Sequence, residues 1–154
     1  MPAVGGFLAA SGVALLAIMA PVAAMAANSC TVRATPVSFG AYDRLSTTDL
    51  TALGSITVSC TAAGQITVFL SSGGSGGFFP RHMTAPGNAT LNYNLFMDQP
   101  GSRIWGDGTG GSQTLTATSA AGSASFQVFG RIPAQQGQVR VGSYSDTIMV
   151  TVNF

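Results

Sequence analysis

Lys and Glu are absent from this sequence, and charge of any kind is scarce. All six basic residues are Arg and all five acidic residues are Asp, so charged residues make up 7% of the chain, against about 25% in average domains. With a net charge of +1 and no basic run, the chain lacks a patch that would attract nucleic acid or an anionic membrane. Lys and Glu usually occupy the exposed surfaces of helices, so their absence favours β-sheet.

Residues suited to catalysis or metal binding are equally few. His82 is the only histidine, and the chain contains neither a Gly-x-Ser-x-Gly motif nor a pair of carboxylate motifs. The glycine runs at 73–77 and 106–111 lack the Gly-Lys-Ser/Thr ending of a phosphate loop. Asp107 alone cannot supply the roughly six to eight oxygens of a calcium site. We therefore expect no enzyme, no cofactor, no metal site and no small-molecule substrate.

The longest hydrophobic run lies at the N-terminus. Residues 7–26 are almost all apolar or small and end in Ala-Met-Ala, the small-x-small pattern of a signal peptidase site. The usual positive charge at the start is missing, and a retained membrane anchor is the alternative, since about 20 apolar residues can span a bilayer. We expect residues 1–26 to be a signal peptide and residues 27–154 to be one exported domain.

The two cysteines fit export. Cys30 follows the predicted cleavage point and Cys60 ends an alternating segment, with no Cys-x-x-Cys motif or histidine partner nearby. In an oxidising compartment this pair is expected to form a disulfide, which would stabilise the domain by about 3–4 kcal/mol in the chain-entropy model.

Short segments with alternating apolar and polar residues recur along the rest of the chain, and none shows the helical period. A period of two predicts strands with one buried face. The predicted strands are residues 31–39, 54–60, 65–70, 90–97, 113–118, 124–132 and 145–154. About seven short strands in some 125 residues predict an all-β sandwich.

Three of these strands support two finer predictions. The short connection at Ala62-Ala63-Gly64 favours a hairpin between the second and third strands. The last strand has the clearest alternation. Its apolar face is formed by Ile148, Val150, Val152 and Phe154.

The aromatic residues beside the glycine runs have two interpretations. Phe78-Phe79 could form an exposed hydrophobic finger, but we expect the pair in the core, because exposed Phe favours aggregation. Trp105 is predicted to anchor the edge of the core.

Asn88 begins a glycosylation sequon, which we interpret as a turn that enters a strand.

A series of short motifs also occurs in a fixed order. They are Cys30-Thr-Val, Val37-Ser-Phe39-Gly40-x-Tyr42-Asp43, Ile56-x-Val58-x-Cys60-Thr61, Arg81-x-Met83, Leu91-x-Tyr93-Asn94-Leu95-Phe96, Trp105-Gly106-Asp107-Gly108, Phe129-Gly130-Arg131-Ile132, Gly142-x-Tyr144-x-Asp146 and Val150-Thr-Val-x-Phe154. Each is weak alone, but the ordered set resembles the spore coat protein U domain family. That family includes the Csu-type subunits of archaic chaperone–usher pili.

The resemblance implies an immunoglobulin-like sandwich that lacks its final strand. It implies a groove of unpaired backbone and exposed apolar side chains, with Ile148, Val150, Val152 and Phe154 in one wall. A periplasmic chaperone would fill this groove with a strand, and at an outer-membrane usher a neighbouring subunit would replace it. The implied function is that of a structural pilus subunit at the cell surface, active in adhesion and biofilm formation.

One feature departs from polymerising subunits. Cleavage after Ala26 leaves only Ala27, Asn28 and Ser29 before Cys30, about 10 Å of extended chain against roughly 30 Å for a full groove strand. We therefore expect a subunit that accepts a donor strand but cannot give one, as at a pilus tip. The alternative is a spore-coat or cell-surface coat protein outside any pilus.

Overall fold

The computed structural model describes residues 28–120 and 122–154. The predicted signal peptide at 1–26 and Ala27 lie outside these residues. The described part contains one short 3-10 turn, Gly73–Ser75, and eight strands. The strands are β1 (Cys30–Thr35), β2 (Leu50–Cys60), β3 (Gly64–Leu70), β4 (Arg81–Ala85), β5 (Ala89–Phe96), β6 (Leu115–Ser119), β7 (Gly122–Ile132) and β8 (Val150–Asn153).

The strands form two antiparallel sheets. One has five strands in the order β1-β2-β7-β5-β4, and the other has three in the order β6-β3-β8. Alternate residues of β2 and β3 are buried between the sheets. The buried apolar residues between the sheets are Ile56, Val58, Cys60, Ile66, Val68, Leu70, Met83, Leu91, Tyr93, Leu95, Trp105, Val128 and Ile132. The predicted all-β, immunoglobulin-like sandwich is confirmed.

The hairpin predicted between the second and third strands is wrong. β2 pairs with β1 on one side and β7 on the other, whereas β3 pairs with β6 and β8 in the second sheet. Both edges of β2 are therefore occupied, and the short connection carries the chain from one sheet to the other. The apolar faces of the two strands pack within one core, which the same alternation also allows.

Some strand ends also differ from prediction. β1 ends at Thr35, one residue before Pro36, because proline has no N–H to donate to the ladder. β2 begins at Leu50 rather than at residue 54. β4 was not predicted, since the buried Arg81 holds a position where an apolar residue would have marked a strand.

The last strand is shorter than its alternation suggested. β8 covers Val150–Asn153, while residue 145 makes an isolated bridge with Thr84 of the other sheet. The segment therefore leaves the edge of β4 and joins β3 a few residues later. A segment that moves from one sheet to the other keeps its side-chain alternation but is not paired along its whole length. The alternation therefore predicted a longer strand than the structure has.

Candidate functional site

One side of the sandwich has two strands with a free edge. β8 pairs only with β3, and β1 pairs only with β2. Each of these strands therefore presents backbone N–H and C=O groups that no other strand of the described residues takes up. We call this side, between β1 and the segment 144–153, the open flank.

The inward face of β1 is uncovered. Val32 lies opposite Val58 in the β1–β2 ladder, and neighbouring strand positions with this pairing point to the same face. Val58 has no exposed surface, yet Val32 is 41% exposed. The second sheet has three strands against five in the first, and it leaves Val32 partly uncovered. The sequence prediction placed only one wall of the groove, and β1 supplies the other.

Between the two edges lies an apolar groove of about 420 Å³. Its lining comes from the end of β1 and the chain after it, from the inner faces of both sheets, and from the segment before β8. These residues are Ala34, Thr35, Pro36, Val37, Phe39, Ser55, Ile56, Leu70, Met83, Tyr93, Leu95, Val128, Tyr144, Ser145, Asp146, Thr147, Ile148 and Val150. The groove therefore exposes part of the core to solvent, a state that is costly unless something covers it.

Two glycines shape the groove on the β1 side. A Cβ at Gly54 would lie 2.8 Å from Val37 Cγ2, and a Cβ at Gly130 would lie 2.7 Å from Phe39 Cζ and still closer to Val37. The chain after β1 can therefore fold inward only because both positions lack a side chain. Phe39 then meets Tyr93 edge to face, with ring centroids 6.2 Å apart.

The opposite wall is held by hydrogen bonds to Asp146. Its carboxylate accepts from the Tyr93 hydroxyl at 2.7 Å and from the Gly74 N–H at 2.9 Å. Burial and this hydrogen bond raise the pKa of Tyr93 far above its usual value, so the phenol stays protonated and donates. A Cβ at Gly73 would collide with the same carboxylate. The groove wall is thereby fixed to the 3-10 turn.

We call the closed flank the part of the sandwich where Arg81 and residues 104–113 bridge the two sheets. The Trp105 N–H donates to Leu95 O of β5, and the Leu70 N–H of β3 donates to Gly106 O. Indole Nε1 of Trp105 donates to Val68 O at 3.1 Å, and the ring has no exposed surface. Backbone and side-chain bonds thus join the two sheets here, and the predicted anchoring role of Trp105 holds.

A buried arginine occupies the centre of the closed flank. Arg81 donates to Ser71 O, to Asn94 Oδ1 at 2.8 Å and to Trp105 O at 2.7 Å, and its guanidinium lies 5.0 Å from the Phe78 ring centroid. Burial lowers the pKa of this guanidinium, while Tyr93 and Asp146 act in the opposite direction. Its hydrogen bonds offset the cost of placing a cation between the sheets. Sequence reasoning did not identify this residue as buried.

The predicted site residues separate into two groups. Ile148 and Val150 line the groove. Val152 is half-buried against the core, whereas Phe154 is 58% exposed and neither residue lines the groove. The predicted disulfide between Cys30 and Cys60 is present, and it joins the paired ends of β1 and β2.

The two phenylalanines behave differently from each other. Phe78 is buried under Arg81, but Phe79 is 80% exposed, so the expectation that both lie in the core holds only for the first. Asn88 has φ 59° and precedes β5 at the turn, as predicted.

Within residues 28–120 and 122–154, no group of three or more His, Cys, Asp or Glu side chains is close enough to hold a metal ion. The same residues include no helix of the length and hydropathy needed to cross a membrane. His82, on β4, uses its backbone N–H to bond Ser75 Oγ at 2.7 Å.

The fold and the open flank define a β-sandwich protein with one strand position unfilled. A scan against protein-family models matches residues 17–151 to the Spore Coat Protein U domain. This chain belongs to the spore coat protein U domain family. Members are structural proteins rather than enzymes, and the match begins within the segment predicted to be cleaved.

The solved structures found by comparison are distant from this chain in sequence. A chain of the CsuC–CsuE chaperone–tip adhesion subunit pre-assembly complex, from archaic chaperone–usher Csu pili of Acinetobacter baumannii, is 22% identical with a TM-score of 0.60. A chain of a chaperone–tip adhesin complex of CFA/I fimbriae is 11% identical with a TM-score of 0.41, covering 79% of this chain and 41% of that one. No curated protein matches this chain. The Csu match covers 82% of this chain but only 40% of the matched one.

Proposed function

We propose that this protein is a structural subunit of a chaperone–usher pilus and that it accepts a donor strand in the open flank. The observation that carries the proposal is the uncovered inward face of β1 beside the free edge of β8. A strand laid between them would pair with backbone groups on β8 and cover the side chains of β1, which is the mode of β-strand addition.

The lining of the open flank suits a strand. Both walls of the groove contain apolar residues, with Ala34 and Val37 on one side and Ile148 and Val150 on the other. An incoming strand with apolar residues at alternate positions would bury them against this lining. A periplasmic chaperone is the first proposed occupant, and a strand from another pilus subunit at the outer-membrane usher is the second.

The proposal also covers the location of the protein in the cell and its biological role. Residues 1–26 would direct export to the periplasm, and the assembled protein would lie on the cell surface, in adhesion and biofilm formation. An acceptor-only position at the pilus tip depends on cleavage after Ala26. Mass spectrometry of the mature N-terminus tests it, because an N-terminus well upstream of Gly12 contradicts the acceptor-only position.

The experiment uses a pair of variants on β1. Val32 faces the open flank, whereas Thr31 is on the outer face of the same strand. The purified protein is titrated with a synthetic peptide copied from the N-terminal extension of a companion subunit, and the shift in Tm is measured. We expect a large stabilisation of the wild type, its loss in Val32→Asp and its retention in Thr31→Asp.

The two variants distinguish the outcomes. Val32 is already partly exposed, so Val32→Asp should fold alone and fail only when a strand buries the carboxylate. Equal peptide binding by both variants, or no stabilisation of the wild type by any companion peptide, contradicts the proposal.

A further inference from the structure

A second cavity lies beyond the groove, at the end of the sandwich where β7 ends. Its volume is about 690 Å³, and two loops that are distant in sequence enclose it, residues 37–44 and 139–144. Val37, Phe39, Met83 and Tyr144 line both this cavity and the groove, so the two spaces adjoin. The remaining lining residues of the second cavity do not line the groove, and they give it a different chemistry.

The floor of this cavity is apolar. Leu91 and Ile132 are buried core residues at 3% and 1% exposure, and Met83 and Val139 pack against the same core. A floor of this kind favours an alkyl chain over a sugar or a nucleotide, because it offers no hydrogen-bond partners. The volume falls within the usual range of ligand sites, about 300–1,000 Å³.

The rim carries an unusual share of the protein's charge. Only six residues of the chain are basic, yet Arg44 and Arg140 both line this cavity, brought together from opposite ends of the domain. In the part of the chain that the structure describes, the one ion pair joins Arg131 to Asp49. Neither rim guanidinium is among the side chains that donate hydrogen bonds there. Both are therefore available to an anion.

The acidic residue at the rim does not cancel this charge. Asp43 also lines the cavity, but its carboxylate accepts from the N–H of Leu45 in its own turn at 2.9 Å. Two cations and one carboxylate leave the rim net positive. An anionic head group could accept charge-assisted hydrogen bonds from one or both arginines.

Hydrogen bonds hold both loops in place before any ligand arrives. The Tyr42 hydroxyl donates to Pro133 O at 2.9 Å and accepts from the Gln136 N–H at 3.0 Å. The Tyr144 hydroxyl donates to Arg140 O at 2.9 Å and closes the second loop. A preformed cavity lowers the entropic cost of binding.

We propose that this cavity is a binding site for an anionic amphiphile, with the alkyl chain on the apolar floor and the anionic head group between Arg44 and Arg140. Arg44 and Arg140 do not line the adjoining donor-strand groove, so a test on these two residues can succeed or fail independently of the proposed function.

The test measures binding of dodecanoate below its micelle concentration by isothermal titration calorimetry on the full exported chain. Dodecanol supplies the same alkyl chain without charge, and acetate supplies the charge without the chain. Arg44→Gln/Arg140→Gln removes both rim cations, and Arg33→Gln on the exposed face of β1 is the matched control. We expect saturable dodecanoate binding that weakens at least tenfold in the double variant and with dodecanol, and is unchanged in Arg33→Gln.

A photoreactive dodecanoate analogue then locates the ligand. Labels on peptides that contain residues 38–44 and 139–143 support the site, whereas labels confined to 30–35 and 145–153 place the ligand in the groove and overturn the proposal. Absence of dodecanoate binding, equal binding of dodecanol, or equal loss in Arg33→Gln also overturns it. The dodecanol comparison uses the wild type alone, so it decides even where the double variant folds poorly.

Discussion

The closed flank and the open flank of this sandwich differ in how their backbone groups find hydrogen-bond partners. On the closed flank, residues 104–106 bond to both sheets and Arg81 links three carbonyl oxygens. On the open flank, β1 and β8 each keep one free edge, and Val32 remains 41% exposed. On the closed flank the chain itself links the two sheets, whereas the open flank is available to a partner strand.

The two flanks also differ in where their polar and charged groups lie. The closed flank buries a cation whose donors are used within the fold, and among the described residues no buried side-chain nitrogen or oxygen lacks a partner. The open flank buries little charge and leaves apolar side chains beside free backbone groups. A self-sufficient core needs its polar groups satisfied internally, whereas an assembly site leaves them for the incoming strand.

The largest expected effect is on the closed flank. Arg81→Met removes the donors to Ser71 O, Asn94 Oδ1 and Trp105 O. Asn94 Oδ1 keeps the Leu95 N–H as a donor, whereas the two backbone oxygens lose the guanidinium. We expect a loss of at least about 3 kcal/mol in the free energy of unfolding, measured by urea titration. Arg33→Met, at an exposed position of β1, should change it by less than about 0.5 kcal/mol. Equal effects would mean that the guanidinium does not hold the closed flank.

A charge on the open flank should act mainly on assembly. Val150 lines the groove, while Thr151 is exposed on the other face of β8. Val150→Asp places a carboxylate against the core and any incoming strand, at a cost of about 1–3 kcal/mol, and should abolish secretion or incorporation into fibres. Thr151→Asp should be milder. Surface assembly is followed by immunoblot, and identical phenotypes would contradict the assigned faces.

A smaller effect is expected where the chain enters the groove. Gly130→Ala forces Val37 and Phe39 away from β7 and should cost about 1–2 kcal/mol, in the range for overpacked cores. Gly64→Ala is the control, because a Cβ there meets nothing within 4 Å. If the two alanine variants have the same urea midpoint, the close approach of Val37 does not contribute to stability.

Most of the fold could be predicted from alternation, because buried strands such as β3, β5 and β7 keep one apolar face. Alternation reports faces but not partners, which is why β2 and β3 were assigned to a hairpin although they lie in different sheets. β4 was not predicted, because the charged Arg81 at an inward position breaks the apolar pattern.

The candidate site was only half predicted. Alternation placed Ile148 and Val150 on one apolar face, and only the family resemblance assigned that face to a groove wall. Val32, Ala34 and Val37 belong to a segment interrupted by Pro36, which gave no clear face. The glycines at 54 and 130 carried a usable signal. Glycine inside a strand marks a close approach of another chain segment, and here that segment is the wall of the groove.

Hydrogen exchange of the backbone amides tests the central claim most directly. The free protein and its complex with a companion-subunit peptide are compared by mass spectrometry over β8 and β1, with β3 and β7 as internal references. The account predicts fast exchange along the free edges of β8 and β1 and strong protection there once the peptide is bound, with little change in β7. Protection of β8 and β1 equal to that of β3 in the free protein would contradict it.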